Sequence, residues 1–168
     1  QGIVRGSQFL TPVGPVLNPQ VTIRRGAQKK EEELPEEVAI LLRGNQELAR
    51  IPFAKGQAKV SYKQLAPLLK YPNGLPAGEY YLKVAGGSQS AKFTVADSQW
   101  RQDAMALPDR LAELLNGRED PLYLQITSEW LLDQRDESDK PLSYFADALD
   151  VLESVPEEAL TAHLKKSR

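Results

Sequence analysis

The stretch 75-LPAGEYYLKVAGG-87 begins at a Pro-Ala-Gly turn and ends at a Gly-Gly pair. Between these turn signals lie two tyrosines, a leucine and a valine, which are residue types that favour a β-strand. The next segment, 89-QSAKFTVA-96, alternates apolar and polar residues, as is typical of a strand with one buried face. The Gly-Gly-Ser connection between the two segments predicts a tight hairpin. Consecutive antiparallel strands are therefore expected over 78–85 and 89–96.

The strand pattern extends towards the N terminus. Further strands are predicted over 20–25, 37–44, 46–53 and 57–62, where apolar residues alternate or cluster between Gly, Pro and Asn turn signals. The segment 63–71 is expected to form a single helical turn that crosses between two sheets. Lysines and arginines stand at alternating strand positions, so we expect them on an ordinary solvent face. Six short strands at this spacing predict a small antiparallel sandwich.

The composition changes near residue 97. Residues 1–96 contain 13 Lys and Arg and 7 Glu, a net charge of +6. Residues 97–168 contain 8 Lys and Arg and 16 Asp and Glu, a net charge of −8. Every Asp lies in this second part, where it can cap helices, and the apolar residues there recur at intervals of three or four. We therefore predict a β-sandwich domain at 1–96 and a helical-hairpin domain at 97–168.

Four helices in two hairpins are predicted in the second part. Pro108 is expected to kink or split the first helix, which ends at Asn116-Gly117. Asp120, followed by Pro121, predicts the start of the second helix. Asp139 is expected to cap the third helix, and a capping-box pattern at 154–157 leads into the fourth. The apolar faces expected for the first three helices are Trp100, Ala104, Leu107, Leu111 and Leu114; Leu122, Ile126 and Trp130; and Leu142, Phe145, Leu149 and Leu152.

The order of these parts resembles bacterial extracytoplasmic proteins in which an Ig-like β-sandwich module precedes tetratricopeptide-like helical hairpins. The resemblance is carried by three features. These are the opening 12-PVGPVLNPQVTIRR-25, the pattern Leu-x-x-Gly-x-Tyr-x-x-x-Val at 75–84, and the closing Phe93-x-Val95. Two segments, 122–134 and 142–154, look like the two helices of one tetratricopeptide hairpin. The usual first-strand aromatic is replaced around Ile23, and at most one repeat is visible.

This resemblance implies an α+β protein with an N-terminal antiparallel Ig-like sandwich and a C-terminal four-helix segment. It also implies a secreted, periplasmic or membrane-tethered interaction protein, with the cytoplasm as the alternative location. It transfers no catalytic residues. Because the chain opens at Gln1 rather than Met, a signal peptide or anchor helix removed upstream is a further expectation. Within the sequence, no run approaches the ~20 apolar residues of a transmembrane helix.

The sequence offers few groups for catalysis or metal binding. There is no Cys, which excludes disulfides, thiolate nucleophiles and Cys-based zinc sites, and His163 is the single histidine. No phosphate-binding Gly loop and no G-x-S-x-G motif is present. The acidic stretch 133–139 lacks the Gly and the spaced Glu of a calcium loop. The glutamates of 31–37 lie in a charged loop, where a raised carboxyl pKa is not expected. We therefore predict no catalytic, cofactor-binding or metal-binding residues, and no cofactor.

Six aromatic residues are the candidates for a binding surface. Trp100 and Trp130 are expected to pack in the core of the helices, with anchoring in a partner groove as the alternative. The adjacent Tyr80 and Tyr81 must point to opposite faces of their strand. The full candidate set is Tyr62, Tyr71, Tyr80, Tyr81, Trp100 and Trp130.

The composition is ordinary for a soluble globular protein, and the sequence leaves two function hypotheses. The first is a non-catalytic protein-interaction or scaffold module of the bacterial envelope. The second is a carbohydrate- or ligand-binding accessory domain of an envelope enzyme, which needs exposed coplanar tyrosines. A standalone hydrolase is disfavoured because no nucleophile–base pair is evident. Nucleic-acid binding is also disfavoured, since the sequence shows no compact basic patch interleaved with aromatic residues, and the acidic second part repels phosphates.

The opposite charges of the two parts predict docking of one part on the other, within one chain or between chains.

Overall fold

The computed structural model describes residues 8–26, 34–87, 90–135, 138–139 and 143–153. The chain divides into two compact units, Gln1–Asp97 and Ser98–Arg168, called here the sheet unit and the helical unit. The α+β class predicted from the sequence is confirmed. The predicted fourth helix after 154–157, His163 and the acidic residues Asp136 and Glu137 lie outside the described residues.

The described residues of the sheet unit form eight strands in two sheets. The strands are β1 Gln8–Thr11, β2 Gly14–Val16, β3 Ile23–Gly26, β4 Glu37–Arg43, β5 Gln46–Phe53, β6 Lys59–Val60, β7 Gly78–Val84 and β8 Ser90–Val95. A three-stranded sheet has the order β1-β3-β6, and a five-stranded sheet has the order β2-β8-β7-β4-β5. The predicted β4, β5, β7 and β8 are confirmed within a few residues at each end.

Strand β2 corrects the expectation of purely antiparallel sheets. It pairs in parallel with β8, with Gly14 opposite Phe93 and Val16 opposite Val95. Neither β1 nor β2 was predicted from the sequence. Strand β2 contains Gly14 and Pro15, which are residue types typical of turns. A short edge strand tolerates Pro15 because one of its sides has no hydrogen-bonded neighbour.

The predicted strand at 57–62 ends early, because a helix begins at Tyr62. Helix α1 spans Tyr62–Leu65 and continues as a 3-10 turn over Ala66–Leu68. The backbone N–H of Ser61 donates to the side-chain oxygen of Gln64 at 3.0 Å, which is one half of a capping box. The predicted helical turn within 63–71 is therefore confirmed, with its start one residue earlier.

The core of the sheet unit lies on one face of the five-stranded sheet. The register places Leu82 opposite Leu41 on one neighbour and opposite Ala91 on the other. The largest fully buried apolar side chains of this unit are Val16, Ile23, Leu41, Ile51, Phe53, Leu65, Tyr80, Leu82, Phe93 and Val95. Burial of this apolar surface, at about 25 cal/mol per Å², is the main source of the unit's stability.

Two cations of β3 contradict the expectation that the basic strand residues face solvent. Arg24 and Arg25 are only 6% and 3% exposed. The Arg25 guanidinium donates to the carbonyl oxygens of Gln57 at 2.6 Å and Ala54 at 2.8 Å, and it lies 3.6 Å from a carboxylate oxygen of Glu37. Burial lowers the pKa of Arg25, and the charge of Glu37 opposes that shift. Arg25 therefore serves as a structural cross-link between β3, β4 and the loop after β5.

The helical unit contains α2 Ser98–Leu114, α3 Pro121–Leu132 and α4 Phe145–Glu153. Pro108 lies inside α2, which stays one helix, so the alternative of a split helix is wrong. Helix α3 begins as predicted, with the Asp120 side chain accepting from the Leu122 N–H at 2.9 Å. The predicted cap of the third helix is wrong, because Asp139 has a positive φ of 61° and α4 begins at Phe145.

Candidate functional site

A surface pocket of about 490 Å³ lies in the sheet unit, beside α1. Its lining combines an apolar floor with one amide and one ammonium group. The lining residues are Gln20, Tyr62, Lys63, Ala66, Pro67 and Pro72. The volume falls in the range of small-molecule sites, and a predominantly apolar wall with few polar groups is the usual composition of such sites.

Two loops hold the wall of this pocket in place. The Leu75 N–H donates to the Pro19 carbonyl oxygen at 2.9 Å, and the Gln20 side chain donates to the Asn73 carbonyl oxygen at 3.4 Å. Gly74 has a φ of 131°, and a Cβ at that position would lie 2.9 Å from the Pro19 Cβ. Only glycine allows this close approach without a shift of the backbone. The Asn73-Gly74 turn therefore holds the loop that carries Gln20, one of the lining residues of the pocket.

Tyr62 anchors the pocket to the following loop. Its hydroxyl donates to the carbonyl oxygen of Tyr71, and its ring is 6% exposed. Burial raises the pKa of Tyr62, the backbone N–H of Gly74 opposes this shift, and the nearby Tyr71 phenol adds to it. The structure thus brings the candidates Tyr62 and Tyr71 together, with Tyr62 buried and Tyr71 half-buried.

Tyr80 is a core residue rather than a surface residue. Its ring is fully buried and stacks on Phe93 with the centroids 5.3 Å apart. Its hydroxyl donates to the carbonyl oxygen of Pro76 at 2.6 Å, and the Arg43 guanidinium lies 5.6 Å from its ring centroid. Burial raises the pKa of Tyr80, Arg43 opposes this shift, and Tyr71 and Tyr62 reinforce it. Tyr80 therefore holds the start of β7 against the loop before it.

Tyr81 lies on the opposite face of β7, as the alternation of strand residues predicts. It is half-buried, and its register partners are Leu42 on β4 and Lys92 on β8. Among the described residues, the tyrosines of the sheet unit therefore do not form one exposed platform. Tyr62 and Tyr80 are buried, and Tyr81 faces away from Tyr80.

The two tryptophans lie in the helical unit and are both half-buried. The Trp100 indole N–H donates to the hydroxyl of Tyr144 at 2.7 Å, which ties α2 to the residue that precedes α4. Burial raises the pKa of Tyr144, the Trp100 hydrogen bond opposes this shift, and Asp147 adds to it. Tyr144 is 3% exposed and Trp100 is half-buried, so this pair is a partly buried polar contact of the helical unit.

The predictions of which apolar residues of the helices are buried are largely wrong. Several of the residues predicted to be buried are exposed and form an apolar surface that was not predicted from the sequence. The buried residues of α3 are Tyr123, Leu124, Thr127, Ser128 and Leu131, not Leu122, Ile126 and Trp130. In α4 the buried residues are Ala146, Asp147 and Ala148. Among the described residues of the helical unit, the exposed large apolar side chains are Leu107, Leu114, Leu122, Ile126, Leu132, Phe145 and Leu152.

A signal for this surface does exist in the sequence. Helix α3, with the sequence PLYLQITSEWLL, is apolar on nearly every side. A helix of this composition has more apolar surface than one buried face requires. The sequence therefore identifies α3 as a helix with a second face to cover, although it does not tell which of the two faces is internal.

The part of the chain that the structure describes contains no metal-binding cluster. Within those residues, no group of three or more His, Cys, Asp or Glu side chains is placed to hold a metal ion. The helices described there include none long and apolar enough to cross a membrane. Comparison with known proteins finds no matching family model, no similar curated protein and no similar solved structure.

Proposed function

We propose that the protein is a non-catalytic interaction module, and that its helical unit provides the surface for a protein partner. The observation that carries this proposal is the number of large apolar side chains that stay exposed on α2, α3 and α4. Leu114 is 75% exposed, Leu107 is 57% exposed and Leu122 is 49% exposed. Leu122 and Ile126 stand one helical turn apart, and exposed apolar residues that lie together in this way are typical of protein–protein contact sites.

The proposed architecture of the sheet unit is Ig-like. The Tyr80 hydroxyl bonds back to the Pro76 carbonyl oxygen at 2.6 Å, four residues earlier. A tyrosine at a strand corner that bonds back to the preceding backbone is a hallmark of Ig-type sandwiches. This geometry supports the resemblance carried by Leu75, Gly78 and Tyr80. The proposed location in the bacterial envelope is supported by that resemblance alone.

In-cell photo-crosslinking tests the interaction role. A photoreactive amino acid is placed singly at Leu107, Ile126 or Leu152 of the full chain, in the cells that naturally produce the protein. We expect a discrete adduct that contains the same second protein from at least one helical position. Leu68 of the sheet unit, 46% exposed, is the matched control position. Adducts that are absent at every helical position, or no more frequent there than at Leu68, contradict the proposal.

A second candidate function is ligand binding at the pocket beside Tyr62. The pocket volume and its apolar wall favour this alternative, whereas the buried Tyr62 and Tyr80 leave no exposed pair of rings for sugar stacking. Backbone NMR spectra recorded during titration with soluble oligosaccharides test it. Saturable shifts confined to Gln20 and residues 62–74 that disappear in Ala66→Trp, which fills the pocket, would favour this second function. Lys59→Ala, outside the pocket, is the control.

A further inference from the structure

Helix α3 presents a second apolar face. Leu122 and Ile126 stand one helical turn apart and are 49% and 40% exposed. Residues spaced by four lie side by side on a helix, so these two side chains form one patch. Leu131 and Leu124, on the other side of the helix, are 1% and 4% exposed. The patch of Leu122 and Ile126 is called here the outward face of α3.

Carboxylates bracket this patch at both ends. Glu129 and Asp133 are exposed and follow Leu122 and Ile126 on the same side of the helix, at spacings of three and four residues. Glu119, which is also exposed, lies just before the helix. Between 119 and 133 the sequence contains no lysine and no arginine. The structure gives Glu119, Glu129 and Asp133 no ion pair within the residues it describes. The outward face is thus an apolar pair between acidic ends.

We propose that the outward face of α3 binds a cationic amphipathic segment of a partner protein, with two bulky apolar side chains set between Lys or Arg residues. This inference rests on the proposed interaction function and names its partner chemistry. The apolar side chains of the partner would cover Leu122 and Ile126, and its cations would meet the carboxylates at either end. Helices that lay an apolar face on a hydrophobic surface in this way use anchors spaced by three or four residues.

A second copy of the same face is disfavoured as the occupant by charge. The described residues of the helical unit contain eleven Asp and Glu and four Lys and Arg, a net charge of −7. Two such faces brought together would oppose Glu129 and Asp133 of one copy to the same acidic line of the other. Like charges placed opposite each other at an interface oppose association.

Peptide binding to the full-length chain tests the proposal. The probe is a fluorescent amphipathic peptide of Leu and Lys, about 18 residues long so that it can be helical. The matched controls are the same Leu pattern with Glu in place of Lys, and a scrambled Leu–Lys peptide of the same composition. We expect saturable binding of the amphipathic Lys peptide, measured by fluorescence anisotropy. Its affinity should exceed that for either control roughly tenfold and weaken as salt is raised.

Variants locate the binding to α3. Leu122→Ser with Ile126→Ser should weaken binding roughly tenfold or more, because two apolar contacts are lost. Glu129→Lys with Asp133→Lys should reverse the preference, so that the Glu peptide now binds better. Leu68→Ser, at an exposed leucine of the sheet unit, is the control and should bind like the unmodified chain. Circular dichroism spectra verify that each variant stays folded.

Three outcomes overturn the proposal. One is equal binding of the Lys and scrambled peptides, which indicates only charge attraction. Another is unchanged binding in the Leu122→Ser, Ile126→Ser variant. The third is self-association that this same variant abolishes, measured by analytical ultracentrifugation, which assigns the face to a second copy. The in-cell crosslinking experiment tests the interaction role separately. If adducts form there while any of these three outcomes is observed, the proposed interaction function is retained, and only the assignment of the outward face of α3 and its partner is wrong.

Discussion

The hydrogen bond from the Tyr80 hydroxyl to the Pro76 carbonyl oxygen is the clearest single-residue feature of the sheet unit. Tyr80→Phe keeps the ring stack on Phe93 but leaves this carbonyl without its partner. We expect a loss of about 1 kcal/mol in the free energy of unfolding, measured in urea, because one partly buried hydrogen bond is worth that much.

The neighbouring residue supplies the control for this substitution. Tyr81→Phe changes the same chemical group in the same strand, on the face opposite to Tyr80. Its effect should stay within about 0.5 kcal/mol, the usual size for substitutions away from special contacts. Equal losses for the two variants would show that the Pro76 hydrogen bond contributes nothing particular.

Buried tyrosines contribute to the dependence of stability on pH in the alkaline range. Burial raises the pKa of Tyr80, against the opposing charge of Arg43, and it raises the pKa of Tyr62 and Tyr144 as well. Above the ordinary tyrosine pKa of about 10, the folded state therefore holds more protons than the unfolded chain. This contribution to stability is complete below that pH and is lost as the pH rises through the folded-state pKa.

Urea unfolding at a series of pH values measures this effect. We expect the free energy of unfolding to fall as the pH rises above about 10, and to fall less steeply in Tyr80→Phe. Ultraviolet absorbance of tyrosinate, which follows ionisation directly, should show part of the tyrosines titrating late in the folded chain. A free energy that is flat or rising over this range would contradict the assignment.

At the level of elements, the sequence predicted those whose signals are local. Strands β4, β5, β7 and β8 were predicted from alternation and turn residues, and α3 from Asp120-Pro121. Strand β2 was not predicted because it pairs with β8, which lies about 80 residues away in the sequence. The local sequence pattern of a segment does not indicate a pairing with so distant a strand.

The internal face of α3 was predicted wrongly for a different reason. An amphipathic helix shows its buried side by periodicity, but α3 is apolar on both sides, so the spacing of Leu122, Ile126 and Trp130 fits as well as that of Leu124 and Leu131. Only packing against neighbours decides between the two faces. In the sheet unit, Tyr62 lines the pocket and donates to the Tyr71 carbonyl oxygen, and a binding role for the candidate tyrosines stays a prediction. The sequence did not tell which of Tyr80 and Tyr81 is the buried member of the pair.

The Asp120 side chain caps the N-terminus of α3, and its contribution to stability can be measured by substitution. The two carboxylate oxygens of Asp120 accept from the Leu122 N–H at 2.9 Å and from the Asn116 N–H at 3.3 Å. Asp120→Ala removes both acceptors and should cost about 1 kcal/mol of stability, seen as a lower midpoint in thermal melts followed by circular dichroism. Asp120→Asn keeps an acceptor oxygen and should cost clearly less. Equal costs would assign the effect to the charge near the helix end instead.

At the scale of the whole molecule, each of the two units has a core of its own. Leu82 lies in the core of the sheet unit and is fully buried, whereas Leu131 lies in the core of the helical unit and is 1% exposed. Both tryptophans, Trp100 and Trp130, belong to the helical unit, so tryptophan fluorescence reports on that unit alone. This distribution of probes lets the two units be followed separately in one full-length chain.

A pair of matched cavity variants tests whether the units unfold separately. Leu82→Ala and Leu131→Ala remove the same atoms from the two cores, and each should destabilise its own unit by roughly 2–5 kcal/mol. We expect Leu131→Ala to lower the urea midpoint of tryptophan fluorescence and Leu82→Ala to leave it nearly unchanged. Amide hydrogen exchange, resolved by peptide, should accelerate in β4, β7 and β8 for Leu82→Ala, and in α3 for Leu131→Ala. Faster exchange throughout the chain in both variants would show instead that the protein unfolds as one cooperative unit.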